Sequence, residues 1–111
     1  MGPIEASLRE NIETAFNPEY YELENESHMH SVPVNSETHF RLLVVSDAFE
    51  GKSRIDRSRM INDLMKTEMA RGLHALSQRA MTPTEWDKIK DTFVMVSPEC
   101  RGGKSKIDNR K

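Results

Sequence analysis

Ile4, Leu8, Ile12 and Phe16 recur every four residues with Ala15 beside them, so the chain opens with one apolar stripe at helical spacing. Pro3 suits the first turn of such a helix, and Asn17-Pro18 suits its end. The next stretch, "YYELENES", alternates: Tyr21 and Leu23 fall on one side, Glu22, Glu24 and Glu26 on the other. That pattern predicts a strand with one solvated face. Residues 27–38 hold Pro33, Asn35, three serines and two histidines, and predict a loop. "HFRLLVVSD" is the strongest strand, and its run from Leu42 to Val45 is apolar at both parities, which suits a central strand covered on each face. After a loop containing Gly51, the residues Met60, Ile61, Leu64, Met65 and Met69 predict a second amphipathic helix that stops near Gly72. Leu73 to about Met81 predicts a third strand. Thr82-Pro83-Thr84-Glu85 then supplies a threonine cap, a proline at the first helical position and a glutamate at the third. This capping box predicts a short helix carrying Trp86 and Ile89. A brief apolar piece, Phe93 to Val96, precedes "SPECRGGKSKIDNRK", whose glycine pair and scattered charges read as a frayed tail.

The predicted order is helix, strand, strand, helix, strand, helix. The simplest packing of that order is an α+β layer, a three-stranded sheet with its helices on one face. At 111 residues the chain suits one domain, which should remove roughly 65% of its unfolded surface from water. A net charge of −2 excludes a molecule that binds nucleic acid by overall charge, so any basic patch must be local. Cys100 is the only cysteine, which excludes an internal disulfide or a four-cysteine metal site and suits a reducing compartment. No run approaches 18 apolar residues and the N-terminus lacks a signal-peptide core, so no membrane association and a cytoplasmic location are expected. There is no phosphate loop, no Gly-x-Ser-x-Gly elbow and no carboxylate pair at a spacing for acid–base work, so no enzymatic activity is expected.

Two groups of residues carry candidate chemistry. His74, in "LHAL", stands at the head of the third strand, and His30, in "HMHSVP", stands in the first long loop. Spacing alone reads His74 as a strand histidine satisfied by a hydrogen bond and His30 as a loop residue; neutral imidazole is also a good ligand for iron. The second group is basic: Lys52, Arg54, Arg57 and Arg59 fall within eight residues at the start of the second helix. Cations there face the positive end of the helix dipole, at a cost of about 0.3–1 kcal/mol each, part of which Asp56 offsets. The arrangement is easier to understand with an anion seated there, although an ordinary solvated face reads the same way. "FEGKSRIDR" has only Gly51, so RNA clamping by a Gly-x-x-Gly loop is not expected, and Arg and Lys contacts alone would give weak, salt-sensitive binding. Cys100 reads as a free cysteine in the tail; the alternative is a reactive thiol or metal ligand whose thiolate Arg101 would favour. The methionines of the second helix and Trp86 read as core fillers.

"SETHFRLLVVSDAFEG", "DRSRMI", "LHALSQRAMTPTEW" and "SPECRGG", in this order and spacing, resemble the BolA family from about Ile4 to Gly103. The resemblance implies an αββαβα fold similar to a type II KH domain, one domain over residues 1–103 and a flexible tail over 104–111. It further implies partnership with a monothiol glutaredoxin, in which the pair holds a [2Fe–2S] cluster for iron–sulfur assembly or iron regulation. His74 matches the family's recurring ligand histidine, and His30 its second, more variable ligand. A partner cysteine and glutathione would complete the set, and the isolated chain is expected without a cluster, as a monomer or weak dimer. His39 of "ETHF" is expected to be structural, and His28 has no family match. Bacterial members imply a second function, DNA binding with transcriptional effects on morphology and stress genes, which here would use Lys52, Arg54, Arg57 and Arg59. Two places depart from the pattern: Arg57-Ser58-Arg59 stands for Arg-His-Arg, and Pro98-Glu99-Cys100 for Pro-Pro-Cys.

Overall fold

The structure, a computed structural model, describes residues 2–27 and 36–95. Its elements are α1 (Pro3–Phe16), β1 (Tyr20–Asn25), β2 (His39–Val45), α2 (Arg54–Leu64), α3 (Lys66–Ala70), β3 (Ala75–Met81) and α4 (Pro83–Ile89). The sheet runs β1-β2-β3, with β1 antiparallel and β3 parallel to the central β2. His28, His30 and Cys100, and the tail expected at 104–111, lie outside the described residues.

The apolar stripe of α1 is its buried face: Ile4, Leu8, Ile12 and Phe16 all lie in the core, against Leu23 of β1 and Phe40, Leu42 and Val44 of β2. The helix begins without a side-chain cap of its own. Instead the Glu37 carboxylate, just before β2, accepts from the backbone N–H groups of Ile4 (3.2 Å) and Glu5 (2.8 Å). Gly2 makes this possible, because a Cβ there would lie 2.4 Å from Glu37 Cδ. The start of α1 is thereby fastened to the chain that leads into β2.

The opposite face of β2 is also covered, as the run of apolar residues predicts: Leu43 and Val45 are buried. Val45 is paired with Tyr20, and the Trp86 ring of α4 stacks on Tyr20 at 5.5 Å while meeting Phe93 edge-on at 5.8 Å. Helices α1–α3 therefore fill one side of the α+β layer, and Trp86 caps the end of the other. Trp86 is half-buried rather than a filler of the main core.

Two expectations are corrected. The second helix is broken: Met65 (φ −97°, ψ 7°) separates α2 from α3, its N–H shared between the carbonyls of Ile61 and Asn62. In α3, Met69 of the expected apolar stripe is 41% exposed while Glu68, at helical spacing from Ile61, Leu64 and Met65, is buried. The Glu68 carboxylate accepts from the Ser7 hydroxyl and from Asn11 Nδ2 (3.3 Å), tying α3 to α1. Glu68→Ala should therefore lower stability by about 2 kcal/mol, because it opens a cavity and strips both donors of their acceptor. The midpoint of a urea titration reads this directly, and an unchanged midpoint would show that the clasp contributes nothing. The third strand begins at Ala75 rather than Leu73, for a reason that bears on the site.

Candidate functional site

Gly72 ends α3 with φ +120°, a conformation a side chain rarely adopts, and the chain then reverses toward the sheet. The Leu73 N–H donates to the Glu68 carbonyl (3.0 Å) and its side chain enters the core. His74, the next residue, is exposed. Leu73 and Leu76 both reach the core because Leu73 precedes the strand, where alternation by twos does not yet apply. The backbone at His74 is held firmly: the N–H groups of His74 (2.8 Å) and Ala75 (3.0 Å) both donate to the Thr38 carbonyl.

The same clamp brings a second imidazole alongside. His39 is the first residue of β2, in register with Ala75, and its ring centre lies 5.4 Å from that of His74 with the planes tilted 55°. The residue pattern predicts a structural role for His39; its closeness to His74 follows from the parallel pairing, which brings the starts of β2 and β3 together. His30 falls outside the described residues.

The basic segment lies at the other ends of the same strands. Ser53 caps α2, its hydroxyl accepting from the Asp56 N–H at 3.1 Å. Lys52, Arg54 and Arg59 are exposed. Arg57 is not available in the same way: its side chain is only 13% exposed, and its guanidinium donates to the carbonyls of Lys52 (3.0 Å) and Ala80 (3.1 Å). It also makes a two-pronged contact with the Glu85 carboxylate, at 2.7 and 3.1 Å, and lies over the Phe49 ring. Arg57 thus leaves the expected set of surface cations and becomes a tie between α2, β3 and α4. The physical reason is Glu85, whose capping box turns a carboxylate toward the start of α2.

Arg57, with the Thr82 N–H second, holds the Glu85 carboxyl down from its ordinary 4.5 to about 2. Because the folded value is the lower one, the stabilising contribution is full above pH 4.5 and is lost as the pH falls toward about 2. Glu85 is nearly half exposed, so solvent screens the pair and the effect is modest. Glu85→Gln keeps an acceptor for the capping box while removing the charge. The variant's melting temperature should fall less than the wild type's between pH 5 and pH 2; equal slopes would show that this ion pair is not coupled to folding.

Arg54, Arg57 and Ser58 of α2 face Gln78, Arg79 and Ala80 of β3 across a cleft of about 280 Å³. Arg79 was not among the sequence candidates; its guanidinium lies over the Phe93 ring, 5.5 Å from its centre. No helix of the described residues is long and apolar enough to cross a membrane.

Fold and site together define a class: a small mixed α+β domain that offers histidine at one end of its sheet and arginine at the other. The sequence profile of the family described as "BolA-like protein" matches residues 12–85, and the chain belongs to the BolA family. It is 45% identical over 109 residues to "BolA-like protein 1" of Bos taurus, covering 98% of this chain and 79% of the relative. It is 39% identical over 102 residues to the Escherichia coli (strain K12) protein described as "DNA-binding transcriptional regulator BolA", covering 92% and 96%. The solution structure of BolA1 protein from Mus musculus superimposes with a TM-score of 0.74 at 44% identity, covering 90% of this chain and 80% of that one.

Proposed function

We propose that the chain is an adaptor that pairs with a monothiol glutaredoxin and contributes His74, together with His30, to a [2Fe–2S] cluster shared between the two proteins. The observation that carries this reading is the exposure of His74 on backbone clamped to Thr38. A ligand that must meet a second protein has to be both accessible and fixed in position, and His74 is both. Imidazole nitrogen is a suitable donor for iron, and histidine ligation raises the reduction potential of a cluster above that of all-cysteine sites. His74 and His30 are two of the four protein ligands a [2Fe–2S] cluster usually takes, so the other two must come from a partner. The β3 strand is at the edge of the sheet, which leaves its start open to a partner. A titration of cluster-loaded monothiol glutaredoxin with the chain, followed by visible circular dichroism, tests the reading. The expected result is a new spectrum that saturates at one chain per glutaredoxin and is weakened in His30→Ala; an unaltered glutaredoxin spectrum would contradict it.

A second reading, DNA binding, is favoured by the cleft between Arg54 and Arg79 and by the description of the Escherichia coli relative. Its phosphate contacts would come from Lys52, Arg54 and Arg59, with Arg57 withdrawn into the structure. Binding should weaken linearly in log–log terms as salt rises, with a slope of roughly −0.9 per phosphate contacted. In an Arg54→Ala/Arg59→Ala double variant that slope should shrink by about 2. Retardation assays over a salt series read it, and an unchanged slope would remove these residues from the interface. The two sites lie at opposite ends of β3, about 20 Å apart at ordinary strand rise, so the readings are compatible.

A further inference from the structure

The geometry points to a docking site on the free edge of β3, where an extended acidic segment of another protein adds to the sheet as a further strand. β3 is the last strand of the sheet and pairs with β2 alone. Bonds at its two ends fix which way its backbone faces: the Ala75 N–H donates to the Thr38 carbonyl, and the Met81 carbonyl accepts from the Ser46 N–H. Ala75, Ser77, Arg79 and Met81 therefore turn their backbone groups toward β2, while Leu76, Gln78 and Ala80 turn theirs outward. The Ala80 carbonyl fits this parity, since it accepts from Arg57 Nη1 of α2 at 3.1 Å and not from β2. The other outward groups are the N–H groups of Leu76, Gln78 and Ala80 and the carbonyls of Leu76 and Gln78. None of these has a protein partner among the described residues. They recur every ~6.6 Å at ordinary strand rise, the spacing at which a neighbouring strand presents its own groups.

The edge is open to such a strand. β3 holds no proline, and the Gln78 side chain is drawn off toward Asn62 of α2, 2.9 Å away. The charge of the occupant follows from the cleft beside the edge, which no acidic side chain lines. Arg57 there is paired with Glu85, but Arg54 and Arg79 are exposed. Side chains of an added strand alternate between the two faces of the sheet, so adjacent carboxylates meet Arg54 on the helix side and Arg79 on the other. Strand addition draws its affinity from main-chain hydrogen bonds and its selectivity from the side chains that flank them. A DNA backbone could use both arginines, but it has no donors for the Leu76 and Gln78 carbonyls, so the edge favours a peptide. The site uses neither His74 nor iron, and it stands or falls apart from the glutaredoxin reading.

The experiment titrates the full, isotope-labelled chain with the capped peptide Val-Thr-Val-Glu-Glu-Val-Thr-Val and follows amide hydrogen exchange by nuclear magnetic resonance. The expected result is that the amides of Leu76, Gln78 and Ala80 exchange at least tenfold more slowly with peptide bound. Those of Ser77 and Arg79, already directed at β2, should change little. Arg54→Ala and Arg79→Ala should each weaken binding at least threefold, as should glutamine in place of both peptide glutamates. A peptide N-methylated at its four central amides keeps both carboxylates but cannot pair, and it should bind at least tenfold more weakly. Unchanged exchange at Leu76, Gln78 and Ala80 with the peptide in large excess, or equal binding of the N-methylated peptide, would overturn the proposal. So would a DNA duplex that slows these three amides where the peptide does not, which would assign the edge to nucleic acid.

Discussion

Phe49→Ala is expected to lower the free energy of unfolding by about 3–5 kcal/mol. Phe49 lies in a short 3₁₀ turn between β2 and α2, yet it is fully buried. Its ring meets Phe16 at the end of α1 at 5.0 Å, and the Arg57 guanidinium lies over it 6.0 Å from the centre. Removing the ring opens a cavity between three elements and takes away the surface on which Arg57 rests. Domains of this size have stabilities of about 5–15 kcal/mol, so the variant should lose a large fraction of its margin. A guanidinium titration followed by far-ultraviolet circular dichroism should show the midpoint falling sharply. A midpoint within error of the wild type would mean that the turn is not part of the core.

What the amino-acid pattern made legible was local. The four-residue stripe of α1 needs only the helix period, and the Thr82–Glu85 capping box declares its own helix, so both elements are found where they are expected. The apolar run of β2 announced a central strand because burial on two faces leaves no polar parity. What stayed hidden depends on contacts between distant residues. Nothing near Met65 signals a helix break, and Glu68, though at helical spacing from Ile61, Leu64 and Met65, carries a charge that reads as solvated until Ser7 and Asn11 of α1 are placed beside it. Arg57 reads as one cation among four until Glu85, 28 residues later, is placed opposite it. The site shows the same division. His74 stands out in the sequence only by its resemblance to a family motif, and its exposure follows once Gly72 turns the chain. That His39 stands beside His74 follows from a parallel pairing that a single sequence does not display.

The other large effect falls on His74. If His74 is the proposed ligand, His74→Ala mixed with cluster-loaded monothiol glutaredoxin should lose most of the heterocomplex spectrum, since water is a poor substitute for imidazole at iron. His74→Cys should restore a bound cluster but shift its reduction potential downward by ~100 mV or more, because thiolate replaces a neutral nitrogen donor. The fold should tolerate both changes, as the side chain is exposed and the holding contacts at this position are made by the backbone. Thermal melts of the isolated variants within a few degrees of the wild type would separate a ligand effect from unfolding. The most direct measurement is potentiometry of the reconstituted pair, monitored by electron paramagnetic resonance, for the wild type and His74→Cys. The account predicts altered g-values and a lower potential in the variant; identical signals and potentials in the two would show that His74 does not touch the iron.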